Sequence, residues 1–259
     1  MSHVIVLSAT TPDNNFPAEY FGMADGDHFW CRWRANIFFN LLKRLNIDKT
    51  DFLSVFDIGC GNGVVRRQIE QSTTWITDGT DFSMEALNQN VSLRGKTYYY
   101  DITEQRPEFR ERYDLIVLFD VLEHVNNTET FLASLAFHLK PGGWLFVNVP
   151  ALNVLRSSYD DVQGHYRRYT RTLLANEFKN LPFSLYWTGY WGFSQLPLLL
   201  LRKFVLRFFT REKNIYTVGF HPPAPFINKI MFRIMQLETS LLNNPPLGTS
   251  VMGVFQKEQ

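Results

Sequence analysis

Cysteine is nearly absent: Cys31 and Cys60 are the only two in 259 residues. A disulfide framework is therefore excluded, and neither belongs to a Cys-x-x-Cys pair of the kind that holds zinc, so no metal is expected. A reduced, cytoplasmic compartment fits. Met1–Thr10 lacks a basic segment followed by a long apolar run, so no secretory leader is expected. The longest greasy stretch, Leu196–Phe209, is broken by Pro197, Arg202, Lys203 and Arg207 and is shorter than the roughly 20 residues of a membrane span. Charge of one sign is missing too: 26 Lys+Arg stand against 25 Asp+Glu, which excludes a uniformly basic nucleic-acid binder. With 45% hydrophobic and 20% charged residues, a disordered or fibrous chain is excluded.

The balance of charge is a cancellation between regions. Residues 1–50 carry 5 basic and 5 acidic groups, 51–150 carry 8 and 14, and 151–259 carry 13 and 6. An acidic half and a basic half suit chemically different ligands on the two sides.

From Asp51 to Pro150 short apolar runs alternate with amphipathic segments, the pattern of βαβ units around a parallel sheet. Strands are predicted over Ser54–Ile58, Thr74–Thr80, Lys96–Tyr100, Leu115–Phe119 and Trp144–Val149. Helices are predicted over Val64–Gln71, Met84–Leu93 and Thr128–Leu139, the last ended by Pro141-Gly142-Gly143. Before this core, His28–Leu45 has apolar residues at helical spacing. After it come a helix over Arg171–Asn180, a strand over Phe183–Tyr190, two helices within Trp191–Leu247 and a final strand, Thr249–Phe255. An unstructured stretch as long as 191–247 does not suit a compact domain, so it reads as a folded insertion.

The most informative segment is Val55-Phe56-Asp57-Ile58-Gly59-Cys60-Gly61-Asn62-Gly63-Val64-Val65, a strand, a glycine turn and a helix. Glycines at alternate positions let the backbone approach a ligand where a Cβ would collide, and the helix points free N–H groups toward it. The third glycine comes one residue too early for a nicotinamide fingerprint, and no Gly-Lys-Ser/Thr follows as in an NTPase loop.

The spacing Asp57-x-Gly59-x-Gly61-x-Gly63 resembles motif I of the class I S-adenosylmethionine-dependent methyltransferases. Gly79-Thr80-Asp81-Phe82-Ser83, Tyr100-Asp101-Ile102, Phe119-Asp120-Val121-Leu122-Glu123-His124-Val125 and Leu139-Lys140-Pro141-Gly142-Gly143 follow in the family's order. Gly-His-Tyr-Arg-Arg-Tyr-Thr at 164–170, His28-Phe29-Trp30 and Pro246-Leu247-Gly248-Thr249-Ser250 extend the resemblance toward a bacterial branch with small or lipid- or sugar-linked acceptors. It implies a Rossmann-like doubly wound α/β sheet of seven strands with the last antiparallel. The cofactor implied is S-adenosylmethionine, held by Asp57, Gly59, Cys60, Gly61, Gly63, Asp81, Phe82, Asp101, Ile102, Asp120 and Val121. Asp81 would take the ribose hydroxyls, and Asp101 and Ile102 the adenine. The implied layout is a cap segment over 1–50, a cofactor domain over 51–190 and 248–259, and a helical insertion over 191–247.

In an open parallel sheet ligands sit beyond the carboxyl ends of the strands, which places the acceptor near Glu123-His124 and the 163–170 loop. His165, with His124 and Glu123, is the candidate base for an acceptor hydroxyl. Arg168, Tyr166, Tyr169 and Trp30 are the candidate acceptor contacts, with Arg168 holding a carboxylate or phosphate. Either these groups do chemistry, or Glu123 and His124 fix their turn and 165–169 is a lid with Arg168 paired to a carboxylate. The base-methylation motif Asn/Asp-Pro-Pro-aromatic has no counterpart after the fourth strand, so nucleic acid is not an expected acceptor.

Leu198–Arg211 places Arg202, Lys203, Arg207 and Arg211 on half of a helix and Leu, Val and Phe on the rest. Either 196–211 lies at a bilayer surface or lines a lipid acceptor's pocket, or it packs in the insertion's core with its basic face solvated. Aromatics crowd at Phe16–Phe39 and Phe183–Phe193, as an acceptor chamber or plain core packing would require. The expected function is O-methylation of an acceptor that is either small or lipid- or sugar-linked, with an anionic one favoured by the charge split; the alternative is a catalytically silent S-adenosylmethionine-binding regulatory or partner protein.

Overall fold

The computed structural model describes residues 4–9, 28–90, 92–209, 224–242 and 244–259. Eight strands form one sheet: β1 (Val4–Val6), β2 (Ser54–Ile58), β3 (Ile76–Asp81), β4 (Thr97–Tyr99), β5 (Tyr113–Phe119), β6 (Leu139–Pro150), β7 (Phe183–Trp191) and β8 (Ser250–Lys257). Their order is β1-β4-β3-β2-β5-β6-β8-β7, and β8 runs antiparallel to both its neighbours. The expected seven strands and antiparallel last strand are present. The eighth strand is β1, which pairs parallel with β4; three residues are too few to carry a periodicity that sequence reading could detect.

Alternation along the strands builds two cores. On β2, Val55 faces one layer and Phe56 the other; on β5, Leu115, Val117 and Phe119 share the first layer while Ile116 and Leu118 share the second. The first layer is closed by α1 (Phe29–Arg44), α2 (Val64–Ser72) and α8 (Pro225–Leu241), through Trp33, Ile69 and Met235. The second is closed by α4 (Thr128–His138) and α6 (Arg171–Glu177), through Leu132, Leu135 and Leu174. Burial on both faces explains why β5 reads as an almost unbroken apolar run.

Two of the boundaries that differ from the sequence reading bear on the site and the sheet. The helix predicted to reach Leu93 is α3 (Met84–Gln89), and Asn90 turns its buried side chain back under the glycine turn, donating to Gly61 O at 2.9 Å. Pro141-Gly142-Gly143 lies inside β6 and does not follow the helix as a separate stop. Tyr113 and Leu115 of β5 face Leu139 and Trp144 of β6, so the surplus residues bulge out, with Gly142 at φ +73°.

The insertion is helical as expected, with α7 (Leu196–Phe209) and α8, and part of the basic face of α7 turns toward the protein. Arg202 stacks over the Tyr159 ring at 4.2 Å and Lys203 Nζ donates to Val154 O at 2.6 Å, so these basic groups turn inward. Leu201, Phe204 and Phe208 are 58%, 54% and 61% exposed. Leu206 is buried at 3% exposure and Arg207 is exposed, so α7 sends basic and apolar side chains both to the protein and to solvent. Arg211, Phe16, Tyr20 and Phe21 lie outside the described residues. Among the described residues, no helix is long and apolar enough to cross a membrane.

Chain order reverses between β2 and β5: β3 and β4 lie to one side, β6 to the other. A crevice opens at such a switch point, beyond the carboxyl ends of the strands.

Candidate active site

The glycine turn leaves β2 directly into this crevice. Gly59 has φ +73°, and a Cβ there would sit 2.3 Å from Val121 Cγ2, so only glycine lets the β2 and β5 ends meet this closely. Gly63, at φ +83°, opens α2, and its missing side chain leaves room for Asn90. The turn hangs on the end of β3: Gly59 and Cys60 donate their N–H to Thr80 O at 2.9 and 3.0 Å, and Gly61 N–H donates to Asp81 Oδ2 at 2.8 Å. Below it, buried Arg66 donates to Asn90 Oδ1 at 2.8 Å and to Thr97 Oγ1 at 2.8 Å, tying the turn to β4.

Asp57 is 1% exposed, and its Oδ2 has no hydrogen-bond partner. Burial pushes its carboxyl up to about 7; Arg66 and Arg34 pull it down and Asp81 pushes it up. Burial also raises the Asp81 carboxyl, against the backbone N–H groups of Ser83, Gly61 and Phe82, and raises the Cys60 thiol. These residues fit S-adenosylmethionine on two observations. The Gly59 approach is a cradle that a side chain would fill, and Asp57 holds an orphaned buried oxygen beneath it. Asp81, partly exposed, accepts from Gly61 and Ser83 N–H at 2.8 Å each and from Phe82 N–H, with lone-pair capacity left for a ribose hydroxyl. Phe82 is half-buried beside it.

Asp101 caps the short turn after β4 by accepting from Thr103 N–H at 2.8 Å. Ile102 departs from expectation: it is 2% exposed and packs in the core with Tyr100 and Phe109. Its side chain therefore does not line the crevice as an adenine contact, because the short turn rotates it inward.

At the end of β5, Asp120 adopts φ +58°, a strained conformation for a non-glycine residue. It is held by Arg34 of α1, which forms an ion pair with Asp120 Oδ2, and by Asn148, whose Nδ2 donates to Oδ1 at 2.6 Å. Trp191 Nε1 in turn donates to Asn148 Oδ1 at 2.9 Å, and Trp30 stacks on Trp191 with ring centroids 4.4 Å apart.

Val121 leads into the 3-10 turn Leu122–His124. Across it lies the 163–170 loop, pinned where Tyr166 N–H donates to Glu123 O at 2.8 Å. The loop is organised by Asp160 of α5 (Ser158–Val162), a fully buried carboxylate. Its Oδ1 faces His165 Nδ1 at 2.9 Å and accepts from Arg168 Nε at 2.7 Å, while Oδ2 accepts from Ser157 N–H at 2.9 Å. Burial works to raise this carboxyl, but His165 and Arg168 outweigh it and hold it well below the usual range. With Nδ1–H donated to Asp160, Nε2 of His165 is the acceptor nitrogen.

The ligating atoms of Glu123, His124 and His165 come within 4.8 Å of one another, and the two imidazoles meet edge to face. Glu123 is 1% exposed; burial and then the Asp120 charge push its carboxyl well up, and its Oε2 has no hydrogen-bond partner. Burial and the neighbouring His165 push His124 down to about 3, against hydrogen bonds to the Gln163 and Gly164 backbone. His124 is therefore neutral at physiological pH.

Of the expected acceptor contacts, Tyr166 is open, at 56% exposure. Arg168 and Tyr169 are not: Arg168 is committed to Asp160 and to Ala151 O at 3.0 Å, and Tyr169 is fully buried. Arg168 thus fixes the loop and does not present its guanidinium to a ligand. Basic groups do line a neighbouring cleft of about 400 Å³, where Arg156, Lys203 and Arg207 face Asn153, Ser157 and Asp161. Sequence reasoning missed Arg34, Asn148 and Asp160. Only Arg34 left a signal, as a charge among the apolar positions of α1.

A family described as "Methyltransferase domain" matches residues 25–186. The ubiquinone biosynthesis O-methyltransferase of Rickettsia akari (strain Hartford) is 24% identical over 155 residues, covering 51% of this chain and 58% of that protein. The chain therefore spans less than two thirds of that relative's length. The fold is shared with S-adenosylmethionine-bound phosphoethanolamine N-methyltransferase 2 of Haemonchus contortus, at TM-score 0.56 and 19% identity, covering 86% of this chain and 53% of that one. It is shared equally with the [4+2]-cyclase SpnF, at TM-score 0.57 and 14% identity, covering 91% and 85%. Fold alone thus leaves the chemistry to the site. The match over most of the chain, on a glycine turn and switch-point crevice that fit the cofactor, shows that the chain belongs to the class I S-adenosylmethionine-dependent methyltransferases.

Proposed function

We propose that the chain methylates an oxygen of a small, anionic acceptor carried on a lipid or sugar. The carrying observation is the Glu123–His124–His165 cluster, which stands over the crevice one turn from Val121 and the glycine loop. Bound S-adenosylmethionine supplies an electrophilic methyl group on a sulfonium. Asp57, Asp81, Asp101 and the glycine turn hold the cofactor, and the β5 end separates it from the acceptor. Asp160 orients His165 so that Nε2 receives the acceptor proton, with His124 and Glu123 shaping that pocket. The name of the Rickettsia relative supports oxygen as the nucleophile.

The Arg156–Lys203–Arg207 cleft supports an anionic acceptor. The outward apolar side chains of α7, with basic groups beside them, support peripheral contact with an anionic bilayer from the cytoplasmic side. In this reading 51–190 and 248–259 form the cofactor domain, 1–50 the cap and 191–247 the acceptor-side insertion. The test is transfer of labelled methyl from S-adenosylmethionine into a cell extract fractionated into lipid, polysaccharide and small-molecule pools. Label in an anionic lipid- or sugar-linked pool is expected. Cofactor binding with no label in any pool contradicts the proposal and leaves a silent binding protein.

A further inference from the structure

We propose that Glu123, His124 and His165 bind one divalent transition-metal cation. Glu123-His124 and His165 lie far apart along the chain and match no local ligand spacing, so by sequence they group only as a candidate base. Folding of the 163–170 loop over the β5 end brings their ligating atoms within 4.8 Å. Atoms bound to one cation at about 2.0–2.2 Å stand roughly 3–4 Å apart, so closure needs side-chain adjustments of about 1 Å.

Three further observations point to a cation. Glu123 Oε2 is a buried oxygen with no hydrogen-bond partner, and a buried carboxylate is tolerated when it is paired or coordinates a metal. The cationic side chains near it are already engaged, Arg34 with Asp120 and Arg168 with Asp160. Both imidazoles carry the outer support that metal-binding histidines have: His165 through Asp160, itself anchored by Arg168 and Ser157, and His124 through the backbone of Gln163 and Gly164.

The ligand set also selects the ion. Two imidazoles and one carboxylate favour zinc, manganese, iron, cobalt or nickel over calcium and magnesium. Three protein ligands leave coordination positions open, as in catalytic sites. This inference rests on the proposed O-methylation and changes the part played by His165. The acceptor hydroxyl takes an open position on the cation, which lowers its pKa, and its proton passes to solvent water. An oxygen lone pair then forms the bond to the methyl carbon as the carbon–sulfur bond breaks, its electron pair remaining on sulfur. The cation keeps its oxidation state throughout.

The test uses the full chain, freed of metal with a chelator and titrated with Co²⁺ read by visible absorption, then competed with Zn²⁺. One equivalent is expected. Glu123→Gln and His165→Ala should each weaken binding at least about tenfold, and Asp160→Asn about 10–100-fold. Calorimetric binding of S-adenosylmethionine should persist in all three, which shows them folded. No cobalt absorption from a chain that binds the cofactor overturns the site, as does unchanged affinity in the Glu123→Gln/His165→Ala pair. Undiminished methyl transfer by the metal-free chain in chelator also overturns it while leaving O-methylation standing. If no acceptor is methylated with or without cation, the functional proposal fails, and the cobalt titration still decides the site.

Discussion

The two halves of the crevice are built by different means. On the cofactor side, the β2–α2 turn is shaped by backbone: positive φ at Gly59, Gly61 and Gly63, N–H groups donated to the β3 end, and a helix opening at Val64. On the acceptor side, the shape comes from side chains that meet across long stretches of sequence, such as Arg34 with Asp120 and Glu177 with Thr128. Backbone constraints confine themselves to consecutive residues, so they leave a motif. Side-chain pairs across the fold do not, yet they hold the β5 end and the loops that flank it.

If the two halves are built independently, substitutions should disable them separately. The largest effect is expected from Asp160→Ala, which leaves Arg168 buried without its anion and His165 unoriented. Loss of about 3–5 kcal/mol of stability is expected from a buried pair broken on one side. Denaturant unfolding checks it, and a loss below about 1 kcal/mol contradicts the role given to Asp160.

Gly59→Ala strikes the other half. Its Cβ would meet Val121 at 2.3 Å in a left-handed conformation, so cofactor affinity should fall by about tenfold or more, with about 1–3 kcal/mol of strain. Calorimetry reads the affinity directly, and wild-type affinity would show that the turn does not hold the cofactor.

Asp57 sharpens the contrast through pH. Its carboxyl is raised from 3.8 to about 7, so the folded chain keeps a proton that the unfolded chain has lost. Through Asp57, stability therefore falls as pH rises from about 4 to about 7 and is flat above. The Asp57→Asn variant lacks that slope. Its stability relative to wild type should grow by a few kcal/mol, in order of magnitude, across this window. A difference independent of pH would contradict the buried carboxyl with its raised pKa.

The smallest effect on folding, and the most selective on function, is expected at the exposed α7 face. Leu201→Asp with Phe204→Asp should change stability by no more than about 0.5 kcal/mol, since both side chains are in solvent. Flotation with anionic liposomes should be lost. Equal flotation of variant and wild type would remove the bilayer from the account.

What was legible in the sequence follows the same division. The strands from Ser54 to Val149 and the glycine turn could be read, and with them the positions of Asp57, Asp81 and Asp101 along the strand ends, because each element announces itself by local period or turn chemistry. Ile102 was misplaced because a strand-end motif does not reveal which way a short turn rotates its side chain. For Arg168 both readings, acceptor contact or pairing to a carboxylate, stayed open because its partner Asp160, eight residues away, looks like any surface acid until α5 buries it. The polarity of α7 was open because an amphipathic helix does not say which face meets protein. Tyr159 and the Val154 carbonyl decided that by taking Arg202 and Lys203.

In the proposed function, cofactor binding and methyl transfer rest on separable halves of one crevice. The most direct measurement takes the His124→Ala/His165→Ala double variant and records calorimetric affinity for S-adenosylmethionine beside labelled-methyl transfer on the wild-type acceptor pool. The prediction is affinity within about threefold of wild type and transfer reduced at least about 100-fold. Transfer that survives, or affinity and transfer lost together, would contradict it.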